Sequence, residues 1–142
     1  MVKKNTQELL ELMKSSSDYE EYLRKNGDDI SDGAKPHTAL ELLIEKSGKK
    51  KSEVIAGSGI EEHYAYQILN GTKTPSRDKM IMFCIGLSLT PEEANVLLKT
   101  TGYAQLYAKN SRDNAVMYAL TKKMSVIELN CMLDGMGLEI FQ

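Results

Sequence analysis

The chain has 142 residues, 42% of them apolar and 27% charged, and a net charge of −2. That length suits one domain or a small domain with appended helices, in the composition range of an ordinary globular protein. The acidic balance argues against a general nucleic-acid coat, and three prolines and two phenylalanines among many Leu, Met, Lys and Glu favour an all-α fold.

Charge is unevenly placed. Residues 1–45 carry six basic and ten acidic groups, residues 46–81 seven and four, and residues 82–142 five and six. The middle stretch is therefore the basic one, as a local phosphate-binding surface requires. Cys84 and Cys131 lie far apart in apolar helical settings, with no CxxC pair and only His37 and His63 as further nitrogen donors. Two buried, reduced thiols are expected, with no metal and no cofactor. A leader pattern and a membrane-length apolar run are both missing from the sequence, so the expected location is cytoplasmic.

In chain order, Asn5-Thr6-Gln7-Glu8 is a capping-type helix start, followed by the stripe Leu9, Leu10, Leu12 and Met13. Ser15–Ser17 breaks it. Ser17 with Glu20 repeats the pattern before Tyr19, Tyr22 and Leu23, and Asn26-Gly27 ends this second short helix. Neither helix is long enough to stand alone in water, so each needs a packing surface or a partner. The Asp, Ser, Gly and Pro of residues 28–36 read as a linker. Residues 1–33 are thus set apart as N-terminal amphipathic helices. Thr38 to Glu41 offers another capping box, Leu40, Leu43 and Ile44 follow at helical spacing, and Gly48 stops the helix.

The informative stretch is 50–76, KKSEVIAGSGIEEHYAYQILNGTKTPS. It predicts a short helix, a turn at Ser58-Gly59, a second helix and a stop at Asn70-Gly71. Gly59 supplies the positive φ that so tight a corner needs. Ile60, Ala65 and Ile68 should face inward with Tyr64 beside them. Glu61, Glu62, His63, Tyr66 and Gln67 should face outward.

Val54, Gly59, Ile60, Ile68, Gly71 and Pro75-Ser76 resemble the phage-repressor/Cro-type (XRE-like) helix-turn-helix bacterial transcriptional regulator family. The resemblance covers about residues 38–89. GTKTPSRDKM and TTGYAQLYAKNSRD are similar to a group of such regulators with little assigned function. Ile55 stands where the family has a small Ala, and Glu61-Glu62 where it often has Ser, Arg or Gln. The resemblance implies a lambda-repressor-like bundle over residues 34–104, a C-terminal helical extension over 105–142, and double-stranded DNA as partner. It places Glu62, His63, Tyr66 and Gln67 at base edges. Gln67 can pair with adenine in two-point fashion, and a carboxylate can accept from cytosine N4. It places Lys49, Lys50, Lys51, Asn70, Lys73, Thr74 and Arg77 along the phosphates, where they position without reading sequence. A homodimer would set two recognition helices on half-sites about one DNA turn apart.

Downstream, Ser76 caps a helix with Met80, Ile81, Phe83, Cys84 and Leu87 as core. Thr90-Pro91-Glu92-Glu93 starts the next, with Ala94, Leu97 and Leu98 inward until Gly102. Asn110 or Ser111 starts a third, with Ala115, Val116, Tyr118, Ala119 and Leu120 on its stripe. Ser125 to Glu128 caps the last, with Leu129, Met132 and Leu133 following. The apolar end Leu138, Ile140 and Phe141 either folds back or meets a second subunit. No nucleophile, P-loop or acid–histidine set points to an enzyme. The alternative to a regulator is a non-catalytic protein-interaction module built on the same fold.

Overall fold

The computed structural model describes residues 5–15, 18–21 and 33–142, and among them every regular element is a helix. The chain divides into two compact units, Met1–Asp32 and Gly33–Gln142. In the first, α1 spans Thr6–Ser15. Its start is the expected one: the Glu8 amide donates to Asn5 Oδ1 at 2.8 Å, and Asn5 Nδ2 donates back to Glu8 Oε1 at 3.1 Å. Leu9 and Leu12 are half-buried, while Leu10 and Met13 are exposed. The expected cap at Ser17 and stripe at Tyr22 and Leu23 lie outside the described residues, as does most of the expected linker.

The second unit holds α2 (Pro36–Ser47), α3 (Lys51–Ser58), α4 (Glu62–Leu69), α5 (Arg77–Gly86), α6 (Pro91–Thr100), α7 (Ser111–Lys122) and α8 (Val126–Gly135). One continuous core runs through it from Leu40 to Phe141, so residues 105–142 share both the unit and the core of residues 33–104. α2 begins two residues before the expected Thr38. Pro36 occupies its first turn, where the fixed φ suits a helix and the missing N–H costs nothing, and the N-cap falls on Lys35, whose side chain has no acceptor to offer.

α5 is the central helix. Every residue from Met80 to Leu87 is buried, wider than the five-residue stripe read from sequence, as befits a helix packed on all sides. α3 lies directly on it. A Cβ on Gly86 would stand 2.5 Å from the Val54 carbonyl oxygen, so only glycine permits this approach.

Residues 76–107 and 111–142 are two copies of one design, and the sequence reading missed this. Ser76-Arg77-Asp78 returns as Ser111-Arg112-Asp113. Helix pair α5–α6 then returns as α7–α8, each second helix opening on a complete capping box, Thr90 with Glu93 and Ser125 with Glu128. The equivalent turn residues Ser88 and Lys123, 35 positions apart, both adopt left-handed backbone, with φ of 55° and 56°. Asn95 Oδ1 accepts from the Leu106 amide, and Asn130 Oδ1 from the Phe141 amide, each at 2.7 Å.

The copies are joined reciprocally. Arg77 holds Asp113 with two hydrogen bonds of 3.1 and 2.9 Å, and Arg112 holds Asp78 with two of 2.9 and 3.0 Å. Each arginine also ties down the tail of its own copy, Arg77 Nε to the Ala104 carbonyl and Arg112 Nε to that of Glu139. Such an i-to-j, j-to-i exchange is the mark of a two-fold relation, here approximate and within one chain. Burial alone would raise the Asp113 pKa. Hydrogen bonds from Arg77 and the Tyr107 amide, with the charges of Arg77 and Arg112, hold it below its ordinary value instead.

Two further expectations change, and one open alternative is resolved. Cys131 is exposed, and only Cys84 is buried, its thiol pushed up to about 12 by burial. Tyr118 faces outward, because the buried stripe of α7 is Ala115, Val116, Ala119 and Leu120. Of the two courses open to the C-terminal apolar end, the chain takes the first. Phe141 is buried beneath the Arg112 guanidinium, 4.0 Å from its ring centre, and Asn130 clasps its backbone.

Candidate nucleic-acid interface

The corner between α3 and α4 is built from four consecutive residues. Gly59 caps α3 with φ of 71°, the conformation expected of it. Ser58, fully buried, donates its hydroxyl to the Ile55 carbonyl at 2.6 Å and accepts from the Ile60 amide at 3.2 Å. One side chain thus joins the end of the first helix to the exit of the turn. Ile60 drops into the core. Glu61 then caps α4, its carboxylate accepting from the His63 amide at 3.0 Å and the Tyr64 amide at 2.8 Å. These bonds, the one from Tyr64 foremost, lower its pKa.

α4 is two-sided. Ala65, Ile68 and Leu69 are buried, and Tyr64 is half-buried with the Lys79 ammonium 5.7 Å from its ring centre. Glu62, His63 and Tyr66 are exposed and Gln67 is half-buried. At i, i+1, i+4 and i+5 these four share one helical face, so the side chains read as base contacts do come together. Beside them, between α3 and α4, Ser52, Ile55, Ala56, Ile60, Glu62 and Tyr66 line a small notch of ≈ 220 Å³.

The seven side chains read as phosphate contacts do not form one set. Lys50, Lys73 and Thr74 are exposed. Asn70 caps the end of α4, its Oδ1 accepting from the Thr72 amide at 2.9 Å. Lys51 makes a surface pair with Glu41 at 2.7 Å. Lys49 turns to α5, donating to Ser88 Oγ at 3.0 Å and the Gly86 carbonyl at 3.4 Å. Arg77 is committed inside the fold, to Asp113 and to the carbonyls of Ala104 and Gln105. Its internal role explains the placement: a bidentate carboxylate saturates the guanidinium fork that would otherwise meet a phosphate.

Sequence reasoning missed Ser58, which carries no signal beyond being a hydroxyl before the turn glycine. It also missed the Arg–Asp exchange, for which the twice-occurring Ser-Arg-Asp tripeptide was the signal. Among the described residues no group of three or more His, Cys, Asp or Glu is placed to hold a metal ion, and no helix is long and apolar enough to cross a membrane. Comparison with known proteins finds no matching family, no matching curated protein and no matching solved structure.

Proposed function

We propose that this chain is a sequence-specific, double-stranded DNA-binding transcriptional regulator of the bacterial helix-turn-helix kind, non-enzymatic and cytoplasmic. The observation that carries the reading is the outward face of α4. Glu62, His63, Tyr66 and Gln67 stand together on a helix whose other side is buried and whose entry is fixed by Ser58, Gly59 and Glu61. In the major groove Gln67 would pair with adenine, Glu62 would accept from cytosine, and Tyr66 beside the apolar notch would meet a thymine methyl. Lys50, Lys73, Thr74 and Asn70 would lie along phosphates. Lys51 would join them by exchanging an exposed carboxylate for a phosphate, because such a surface pair is worth little. Lys49 and Arg77 are not part of the proposed interface. A homodimer is part of the proposal, through a surface other than the folded-back C-terminal end.

A second reading, a non-catalytic protein-interaction module, draws on the paired carboxylates Glu61 and Glu62 at the head of α4 and on the net charge of −2. Selection from a random duplex pool at low and at physiological salt separates the two. The DNA reading predicts an enriched two-fold motif whose affinity falls steeply with salt. Absence of enrichment at both salts favours the interaction module.

A further inference from the structure

The two copies meet again at the turns that join their two helices. There a cleft of ≈ 320 Å³ opens between them, and equivalent residues face it from both sides: Ile85 with Leu120, Ser88 with Lys123, Leu89 with Met124. Glu53 and Gly57 of α3 close it. A cleft of this size, set between packed units and lined by apolar and polar groups in about equal measure, can hold a small amphiphilic ligand.

The charged groups in its wall are Lys49 and Lys123 with Glu53 and Glu128, and the two ammonium groups converge. Lys49 Nζ donates to Ser88 Oγ at 3.0 Å, and Lys123 Nζ donates to the Ser88 carbonyl at 2.7 Å. Two ammonium groups are thus gathered on one residue. Among the described residues neither cleft lysine is in an ion pair, although the Glu93 carboxylate lies near enough to Lys123 to feel its charge. Of the two acids in the wall, Glu128 has Oε1 committed to the Ser125 amide, and Glu53 stands on α3. An ammonium has three donors, so both lysines retain hydrogen-bonding capacity. Backbone strain falls at the same place. Ser88 and Lys123 are the two non-glycine residues with positive φ among those described, a conformation side chains rarely adopt. Residues held in this region are found at ligand clamps as well as at helix ends such as the one Lys123 closes.

We propose that this cleft binds a small organic anion, a carboxylate or phosphate monoester with a short apolar body. The head group sits between Lys49 and Lys123, and the body lies on Ile85, Leu89, Leu120 and Met124. Glu53 and Glu128 in the wall disfavour polyanions. The site stands apart from the DNA-binding reading, and its test contains no DNA.

The test is a titration of the full chain followed by amide proton–nitrogen spectra. The probes are hexanoate, hexyl phosphate, inorganic phosphate and hexanol. The amides of Ser88, Leu89, Lys123 and Met124 should shift saturably with hexanoate or hexyl phosphate, and the tighter of the two identifies the head group. Hexanol and inorganic phosphate, each lacking half the ligand, should bind about tenfold more weakly or worse. Lys123→Asn keeps a residue that tolerates left-handed backbone and should weaken binding about tenfold, the loss expected for one charge-assisted hydrogen bond. Lys49→Gln should do the same, and Lys123→Arg should restore binding. Saturable shifts from neither amphiphilic anion, hexanol binding as well as hexanoate, or Lys123→Asn titrating like the parent would each overturn the proposal.

Discussion

The corner between α3 and α4 and the duplicated half treat their charges in opposite ways. In residues 76–142 arginine and aspartate satisfy each other across the copies, and both arginines also hold their own tails. In residues 49–74 the polar side chains mostly serve the local backbone or point to water: Glu61 caps, Asn70 caps, and Lys50, His63 and Lys73 are exposed. A charge used inside the fold stabilises it and is lost to ligands. A charge left outside contributes little stability and is available to bind.

The largest break in this contrast is Asp113→Ala. It leaves the Arg77 guanidinium without its carboxylate in a mostly buried site, so urea unfolding should show a loss of about 3 kcal/mol. The equivalent Asp78→Ala should lose less, because the Asp78 side chain is 36% exposed against 11% for Asp113. Gly86→Ala comes next. Its Cβ would collide with the Val54 carbonyl, forcing α3 from α5 at a cost of about 2 kcal/mol. Ser125→Ala removes one half of a capping box, for about 1 kcal/mol. Lys73→Ala should change stability by less than about 0.5 kcal/mol. It should lower the slope of log affinity against log salt by about one unit if Lys73 meets a phosphate.

Acid sharpens the same contrast. The Asp113 pKa lies below its ordinary value of 3.8 in the folded chain, so its contribution is complete above the unfolded value. It is lost as pH falls through the lower folded value. Unfolding midpoints measured from pH 6 down to pH 2 should therefore fall more steeply for the parent chain than for Asp113→Asn.

Local features were legible in the sequence. The caps at Asn5, Ser76, Thr90 and Ser125 and the turn at Gly59 depend on neighbours within a few positions, and all are present. Thr38 misled because Pro36 starts the helix first. What was missed is non-local. Arg77 reads as a phosphate contact from the adjoining loop, but its carboxylate lies 36 positions on. Exposure of Cys131 and Tyr118, and the clasp of Asn130 on Phe141, depend on which helix covers which. The grouping of Glu62, His63, Tyr66 and Gln67 was legible, because helical spacing alone puts them on one face.

The central claim is that this face reads bases. The most direct test is paired selection from one random duplex pool, with the parent chain and with His63→Ala/Gln67→Ala. The account predicts a motif for the parent, and for the variant the same half-site spacing with sequence preference lost at particular positions. An identical motif from the variant, or none from the parent at low salt, would contradict it.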